Sequence, residues 1–331
     1  MDQATATARR MWTLFEPVHV VSYFTPEARA AFEQAGLRGF WRGYFAGRAA
    51  PLGPTGAPPV IASFFSFAPA MVNRALPAVW ELASPEAALA ARQAGAVAAV
   101  RRLLGLAAGD PVPADVSAAA DGLAAAARDL DQAGRTLAAA NIALPVPDEP
   151  VARLWHAATV LREHRGDGHI AALVAADLSG CEALALRTGV AGGPGREHLQ
   201  PARGWTDAEW DEAAGRLAGR GLLRADGSAT ESGIALHAEI EDMTDRAAAR
   251  PWAALGAERA ARLARVLRPI AVRCATILPV PNPVGVPAPA AEPAQATAPT
   301  QATKPAQATQ PAQATEPAPA TTPAAATAPS S

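Results

Sequence analysis

The segment that decides the fold runs from Thr206 to Trp252 and reads TDAEWDEAAGRLAGRGLLRADGSATESGIALHAEIEDMTDRAAARPW. Its start is a capping box, because Glu209 follows Thr206 by three residues and each side chain can bind the backbone amide of the other residue. The helix that this start predicts ends before Gly221, since glycine readily adopts the left-handed conformation that terminates helices. The segment therefore opens with one well-bounded helix.

A short hairpin and a second helix follow. The residues LLRADGSAT contain Asp226-Gly227, a turn dipeptide typical of β-hairpin loops. A further long helix starts near Glu231. This order of helix, glycine, hairpin and helix predicts a winged helix with one small β-hairpin as its wing.

A helix-turn-helix pattern lies upstream of the predicted wing. HIAALVAADL, residues 169–178, predicts a first helix, and CEALALRTG predicts the second. Ser179-Gly180 forms the turn, where glycine is favoured because a short turn often needs a positive φ. Helix starts such as Thr25-Pro26 and Ser84-Pro85 recur elsewhere, so the predicted fold class is mainly α.

Two resemblances agree with this pattern. The stretch from Gly221 to Ile234, with the helix before it, resembles the winged-helix half of MarR-type regulators. Residues 8–285 resemble a helix-turn-helix family of actinobacterial proteins through the stretches FEPVHVVSYF, GFWRGYFAGRAAPLG, LREHRGDGHIAALVAADL and LPVPNPVG. The family resemblance implies a winged helix and no particular activity. The MarR resemblance implies two symmetric units that bind small ligands between their dimer-forming and DNA-binding parts.

The sequence also suggests a tandem duplication. A shift of 141 residues aligns residues 31–45 with residues 172–186. The identical pairs are Ala31/Ala172, Ala35/Ala176, Leu37/Leu178 and Gly39/Gly180. Our hypothesis is a fused, pseudo-dimeric chain whose two halves are free to differ, and which as a monomer would need no second copy.

This hypothesis divides the chain into four parts. They are a degenerate winged-helix-like half (1–110), a connecting helix and linker (111–147), a winged-helix half (148–285) and a Pro/Ala/Thr/Gln-rich tail (286–331). Residues 115–140 are alanine-rich and predict a single helix within the connection. The tail is predicted to be disordered, because its prolines recur too often for helix or sheet.

Composition limits the classes of function. Half of the 331 residues are apolar, the formal net charge is −2, and no polybasic run suggests general binding to nucleic acid or anionic membranes. Cys181 and Cys274 lie in apolar helical contexts without a CxxC motif, which is typical of buried, reduced thiols. Neither a signal-peptide pattern nor an apolar run of about 18 residues is present. We therefore expect a cytoplasmic protein without a membrane span.

The strongest candidate site is the ionisable run HRGDGH from His164 to His169. We expect its glycines to form a loop and Asp167 to cap the helix that starts near Gly168. The free amides of that helix start and the planar guanidinium of Arg165 would then suit an acidic ligand. The alternative is that the run is only a polar helix start.

A second group of candidates occurs near the N-terminus. Glu16, His19 and Tyr23 fall on one helix face by their spacing, and Tyr44 and Arg48 share a face of a later helix. The alternative for Glu16 and His19 is a solvated pair. The complete predicted ligand-binding set is Glu16, His19, Tyr23, Tyr44, Arg48, His164, Arg165, Asp167, His169 and Glu182. The histidines of the set, His19, His164 and His169, are also the candidates for a catalytic base.

Several other chemistries lack their sequence patterns. No HxxxH or HExxH motif supports a zinc site, no GxSxG supports a serine nucleophile, and no GxGxxG follows a strand. We therefore predict neither a metal nor a cofactor. DNA binding is possible for a winged helix, through Arg216, Arg220 and Arg224, but charge does not favour it. The segment from Thr206 to Glu231 carries these three arginines against the six acids Asp207, Glu209, Asp211, Glu212, Asp226 and Glu231.

The sequence thus leaves three functional hypotheses. The first is a small-molecule-binding, MarR-like winged-helix protein, with a regulatory role and an acidic or aromatic ligand. The second is an enzyme that uses a His/Arg/Glu pocket between the two halves on an acidic small substrate. The third is a protein-binding role in which the proline-rich tail docks to a partner.

Overall fold

The computed structural model describes residues 2–190, 194–279, 282 and 284–286. The chain separates into a unit spanning Met1–Ala290 and a second unit, Ala291–Ser331, which lies outside the described residues. The predicted disordered tail therefore also lies outside them, except for Val286, which is buried.

The described residues are mainly α-helical. The helices are α1 (Gln3–His19), α2 (Val21–Phe24), α3 (Pro26–Gln34), α4 (Phe40–Ala49), α5 (Ala57–Ser63), α6 (Pro69–Ala75), α7 (Pro85–Leu104), α8 (Ala114–Ala127), α9 (Thr136–Ile142), α10 (Pro150–Ala175), α11 (Gly180–Gly189), α12 (Arg196–Arg203), α13 (Asp207–Gly219), α14 (Glu231–Ala247), α15 (Arg250–Leu255) and α16 (Ala257–Ala275).

The helices enclose three apolar cores. In the central core, α1 and α8 each pack against both α10 and α16, around Leu14, Leu123 and Trp155. A first lobe, built from α3 to α7, has its own core around Phe45. A second lobe, built from the end of α10 and α11 to α14, encloses Trp210. Two lobes, each with its own apolar core, therefore pack against one central group of helices.

The capping motifs behave as predicted. Thr206 and Glu209 form the expected capping box at α13, and Ser179 and Glu182 form another at α11. The predicted β-hairpin wing does not form as a pair of strands. No β-strand is present among the described residues, and a single antiparallel bridge joins Leu223 to Ala229. The segment between α13 and α14 is too short for two strands of ordinary length.

The HRGDGH run, residues 164–169, does not form the predicted loop. Its residues lie inside α10, which continues without a break from Pro150 to Ala175. Asp167 therefore caps no helix start near Gly168. Its Oδ2 instead accepts a hydrogen bond from the Ala138 amide at 2.9 Å, in the first turn of α9. The predicted cap is therefore wrong, and the carboxylate binds an amide in the first turn of a different helix.

The connecting segment, residues 111–147, contains two helices instead of the single predicted helix. The single helix expected over residues 115–140 is interrupted between α8 and α9. Gly134 has a φ of +71° there, which helices do not allow. The turn that follows places Arg135 against α10, where its guanidinium donates to the His164 carbonyl at 2.5 Å. A contact with a distant helix thus stabilises the break.

The turns before α4 and α11 share their backbone geometry at the 141-residue shift. The Leu37 amide donates to the Phe32 carbonyl at 2.9 Å, and the Leu178 amide donates to the Leu173 carbonyl at 3.1 Å. Both turns contain a left-handed residue at the same point, and these are Gly36 (φ +91°) and Asp177 (φ +53°). The helices before these turns, α3 and α10, thus end with the same hydrogen bond.

Candidate functional site

A cavity of about 660 Å³ lies where the two lobes meet the central helices. Ligand pockets of proteins commonly have volumes of this order. One wall comes from α1, α2 and α4, and the other from α10, α11 and α14. Both halves of the chain therefore contribute to one site.

The lining is aromatic and strongly basic. Its aromatic residues are Trp12, Tyr23, Phe24, Phe40, Trp41, Tyr44, Phe64 and Phe65. Its arginines and glutamates are Arg9, Arg48, Arg162, Arg165, Arg187, Arg203, Glu16 and Glu241. Six arginines thus face two glutamates in a largely apolar enclosure.

At one end of the cavity, Glu163 holds two arginines. Its carboxylate receives both Nε and Nη2 of Arg48 at 3.0 Å, and Nη1 of Arg162 at 2.7 Å. Burial raises the pKa of the Glu163 carboxyl, but the attraction of Arg162 and Arg48 outweighs burial and holds that pKa well below its usual range. Arg48 also lies 4.2 Å above the Phe64 ring. This bidentate pair is therefore firmly fixed and ionised.

Glu16 is the second carboxyl at this end. Its Oε1 lies 3.4 Å from Nε of Arg162, and its Oε2 accepts from the Trp12 indole at 3.2 Å. Burial raises the pKa of Glu16 despite the opposing charge of Arg162. The carboxyl is thus easier to protonate than an exposed one.

A hydrogen-bonded relay connects the cavity to the protein interior. The Thr159 hydroxyl donates to the Trp155 carbonyl at 2.9 Å, so its oxygen accepts from Nδ1 of His19 at 3.0 Å. Nε2 of His19 is then an acceptor for the Tyr23 hydroxyl at 2.8 Å. Burial, with the charge of Arg162, lowers the pKa of His19 well below its usual value, which fits this neutral tautomer.

At the other end, Arg165 meets two acids of α14. Its Nη2 lies 3.1 Å from Asp245 and 3.6 Å from Glu241, and its guanidinium lies 4.6 Å above the Trp12 ring. Arg9 pairs with the same two acids. Nη1 of Arg165 is buried without a hydrogen-bond partner among the described residues. Arg9 and Arg165 thus share the two acids at this end of the cavity.

His169 and Arg187 complete this end. Nδ1 of His169 bonds the Thr244 hydroxyl at 2.8 Å. Burial, together with the charges of Arg165 and Arg187, lowers the pKa of His169 to about 4 against the opposing effect of Glu241. Arg187, in the last turn of α11, forms neither a hydrogen bond nor an ion pair with the residues that the structure describes.

The cavity brings together part of the predicted ligand-binding set. Its predicted members are Glu16, Tyr23, Tyr44, Arg48, Arg165 and His169. His19 is buried behind Tyr23, and His164 faces the α8–α9 connection, where Nε2 lies 3.2 Å from Oδ1 of Asp131. Two of the three candidate catalytic histidines, His19 and His164, thus do not line the cavity.

The remaining predicted members have structural contacts. Asp167 caps α9, and Glu182 belongs to the capping box of α11 and pairs with Arg216 at 2.9 Å. The acids that pair with Arg165 are Glu241 and Asp245. Those acids lie on α14, so the sequence of α10 gives no sign of them.

Sequence reasoning missed several lining residues. They are Arg9, Arg162, Arg187, Arg203, His237 and Glu241. Arg162 had a usable signal, because residues 162, 165, 166 and 169 fall on one face of a continuous helix. That face was hidden by the expectation of a loop at Gly166.

The candidate DNA-binding arginines are all engaged within the second lobe. Arg216 pairs with Glu182 and Glu212, and Arg220 donates to the Asp177 carbonyl at 2.6 Å. Arg224 bonds the Ala229 carbonyl. These contacts hold the guanidinium groups against the protein itself.

The two lobes also touch each other directly. The Ala68 amide donates to the Arg203 carbonyl, and the Trp205 indole donates to the Ser66 carbonyl, both at 2.9 Å. A methyl group on Gly180 would lie 2.0 Å from the Phe65 carbonyl oxygen, so only glycine fits at this contact. The lobe contact closes one side of the cavity.

Among the described residues, neither a metal-binding cluster nor a single membrane-spanning helix occurs. No group of three or more His, Cys, Asp or Glu side chains is placed to hold a metal ion. No single helix is long and apolar enough to cross a membrane, although α10 and α11, at 92° to each other, meet the length and composition criteria as a bent pair. Both cysteines are free and buried, as predicted.

Comparison with known proteins places this architecture in a family. No curated protein and no solved structure matches the chain. A family model described as a helix-turn-helix family matches residues 8–279, which include both lobes and the central helices. The chain therefore belongs to this helix-turn-helix family.

Proposed function

We propose that the protein binds a small organic acid with an aromatic or alicyclic body in the cavity between its two halves. The observation that carries this proposal is the lining, in which six arginines and two glutamates surround an aromatic enclosure of about 660 Å³. Buried charges are costly unless they are paired, so an excess of arginines favours an anionic occupant.

The proposal includes a MarR-like, pseudo-dimeric architecture. The matching turns before α4 and α11 and the two lobes on one central helical group support it. In this arrangement, the segment between α13 and α14 is a reduced wing, and α13 is the helix that would enter a DNA groove. A regulatory role would follow if ligand binding changed the lobe contact.

Helix-turn-helix proteins are typically DNA-binding regulators, but several features weigh against tight DNA binding here. The start of α13 is acidic, and Arg216 and Arg220 are held by the lobe itself. A dimeric reader places its recognition helices about 34 Å apart, whereas these lobes are in direct contact. We expect no mobility shift of DNA at nanomolar protein and physiological salt, and a shift lost in Arg216→Ala would contradict this.

The experiment for ligand binding uses 8-anilinonaphthalene-1-sulfonate, an aromatic anion, and its neutral analogue N-phenyl-1-naphthylamine. We expect saturable fluorescence enhancement with the anion and weaker enhancement with the neutral probe. Ala183→Trp fills the cavity and should abolish binding, whereas Ala208→Trp, on the exposed surface of α13, should not. Equal binding by the wild type and Ala183→Trp would show that the probe binds elsewhere.

A second candidate function is catalysis on an acidic substrate. The relay from Thr159 through His19 to the Tyr23 hydroxyl favours it, because such a chain can hold or move a proton at the cavity wall. Tyr23→Phe removes only the hydroxyl. Unchanged turnover in Tyr23→Phe, with any substrate found, would exclude this role for the relay.

A further inference from the structure

Arg48 and Arg187 occupy comparable places in the two halves. Each lies in the last turn of the helix that follows the shared turn geometry, α4 for Arg48 and α11 for Arg187. Both line the same cavity. They are equivalent by element rather than by register, because the 141-residue shift aligns Arg48 with Gly189.

Their electrostatic surroundings differ. Arg48 has a bidentate carboxylate partner, since Glu163 binds its Nε and Nη2 at 3.0 Å each. Arg187 has no hydrogen-bond or ion-pair partner among the described residues. The nearest acid acting on it, Glu241, already contacts Arg9 at 3.3 Å and Arg165 at 3.6 Å. Arg48 thus has an anionic partner on α10, whereas Arg187 has none among the described residues.

The charge balance of the cavity agrees with this difference. Four carboxyls pair with arginines of the lining, and they are Glu16, Glu163, Glu241 and Asp245. Their ion pairs among the described residues are with Arg9, Arg48, Arg162 and Arg165, and none is with Arg187. A partly buried guanidinium in such a place is stabilised by an anion from outside the chain.

The guanidinium of Arg187 packs closely against Gly285. Gly285 has a φ of +75°, and a Cβ there would lie 1.6 Å from Nη2 of Arg187. Glycine at this position therefore lets the backbone lie directly on the guanidinium. Gly285 also lines the cavity, so the packed guanidinium is next to the space that a ligand would fill.

We propose that Arg187 binds the acidic group of the ligand, as Arg48 binds the carboxylate of Glu163 within the protein. The inference rests on the proposed ligand-binding function and names the chemistry of its anchor. The ligand class is an organic carboxylate or sulfonate, because a planar guanidinium binds two oxygens of such a group in parallel. Its apolar body would lie toward Trp12 and the aromatic residues of α4.

The test compares Arg187→Met with Arg29→Met, a control that replaces an exposed arginine of α3. For Arg187→Met we expect the dissociation constant of 8-anilinonaphthalene-1-sulfonate to rise about 10- to 100-fold. The affinity for neutral N-phenyl-1-naphthylamine should change less than about twofold. The melting temperature should not fall, because no ion pair is lost. Arg29→Met should leave both affinities unchanged.

Each outcome decides the proposal. A wild type that binds neither probe refutes the ligand-binding function itself. A wild type that binds the anion as tightly as Arg187→Met does refutes only the anchor, as does an equal loss of both probes or a melting temperature lowered by several degrees. If Arg187→Met does not fold, Arg187→Lys decides, because it keeps the charge but not the two parallel bonds. We expect it to bind the anion about 3- to 10-fold more weakly, and wild-type affinity would refute the anchor.

Discussion

At the scale of single residues, Asp167 is a buried carboxyl whose backbone partner belongs to another helix. It caps α9 through the Ala138 amide, and burial raises its pKa to about 6 despite that hydrogen bond. In the unfolded chain the pKa of an aspartate is about 3.9. Ionisation therefore favours the unfolded state, and the protein loses stability as the pH rises from about 4 to about 6.

We expect Asp167→Asn to be more stable than the wild type at pH 8, because asparagine keeps the accepting oxygen and carries no charge. The advantage should widen by about 1 kcal/mol between pH 5 and pH 8 and stay constant above that. Urea denaturation at the two pH values measures it. The control, Asp167→Ala, also removes the charge but loses the cap, so it should be about 1 kcal/mol less stable than Asp167→Asn. If the difference in free energy of unfolding between Asp167→Asn and the wild type does not change with pH, the pKa of Asp167 is not raised by folding.

The sequence could predict residue roles only where the partner is local. Thr25 and Ser84 cap the helices that they immediately precede, as their sequences indicated. The cap by Asp167 and the pairing of Arg165 with Asp245 join residues far apart in the chain. Nothing in the local pattern specifies such partners, so the residues were identified as important but their roles were misassigned.

At the scale of elements, α10 is the feature that local sequence rules describe worst. Gly166 and Gly168 predicted a loop because glycine weakens helices by roughly 1 kcal/mol each. The helix persists because it packs on α8, α1 and α14 along its length. Tertiary packing thus outweighs the local preference, and it converts an expected helix start into one continuous wall of the cavity.

The two glycines of α10 should respond differently to alanine. A Cβ on Gly166 would meet only ordinary contacts at 3.7 Å and beyond, so Gly166→Ala should stabilise the protein by about 0.5 to 1 kcal/mol. A Cβ on Gly168 would lie 2.9 Å from Nη1 of Arg135 and 3.0 Å from Cβ of Ala247. Gly168→Ala should therefore lose this gain and cost about 1 kcal/mol. Thermal unfolding of both variants is the measurement, and equal effects would mean that α10 is not packed as described.

At the scale of the whole molecule, the contact between the lobes rests on Gly180. We expect Gly180→Ala to cost about 1 to 3 kcal/mol, because its methyl group would collide with the Phe65 carbonyl of the other lobe. Gly215→Ala, in the same lobe, meets nothing within 4 Å and should instead be stabilising. Chemical denaturation of the two variants separates the lobe contact from simple helix propensity. A stable Gly180→Ala would show that the lobes need not touch.

The overall architecture could be predicted better than the site. Caps are local signals, and they located the starts of α3, α7 and α13. The cavity depends on how α10, α11 and α14 meet, which no single segment encodes. The pairing of Arg48 with Glu163 is a case in point, because 115 residues separate the two.

The unequal arginines have a consequence for how a ligand would sit. In a symmetric homodimer, every side chain on the axis occurs twice, so an occupant of the shared cavity could lie in two equivalent directions. Here Arg48 is already neutralised by Glu163, whereas Arg187 is not. The two ends of the cavity therefore differ in charge. We expect a single bound molecule per chain, always in the same orientation, with its acid directed at α11.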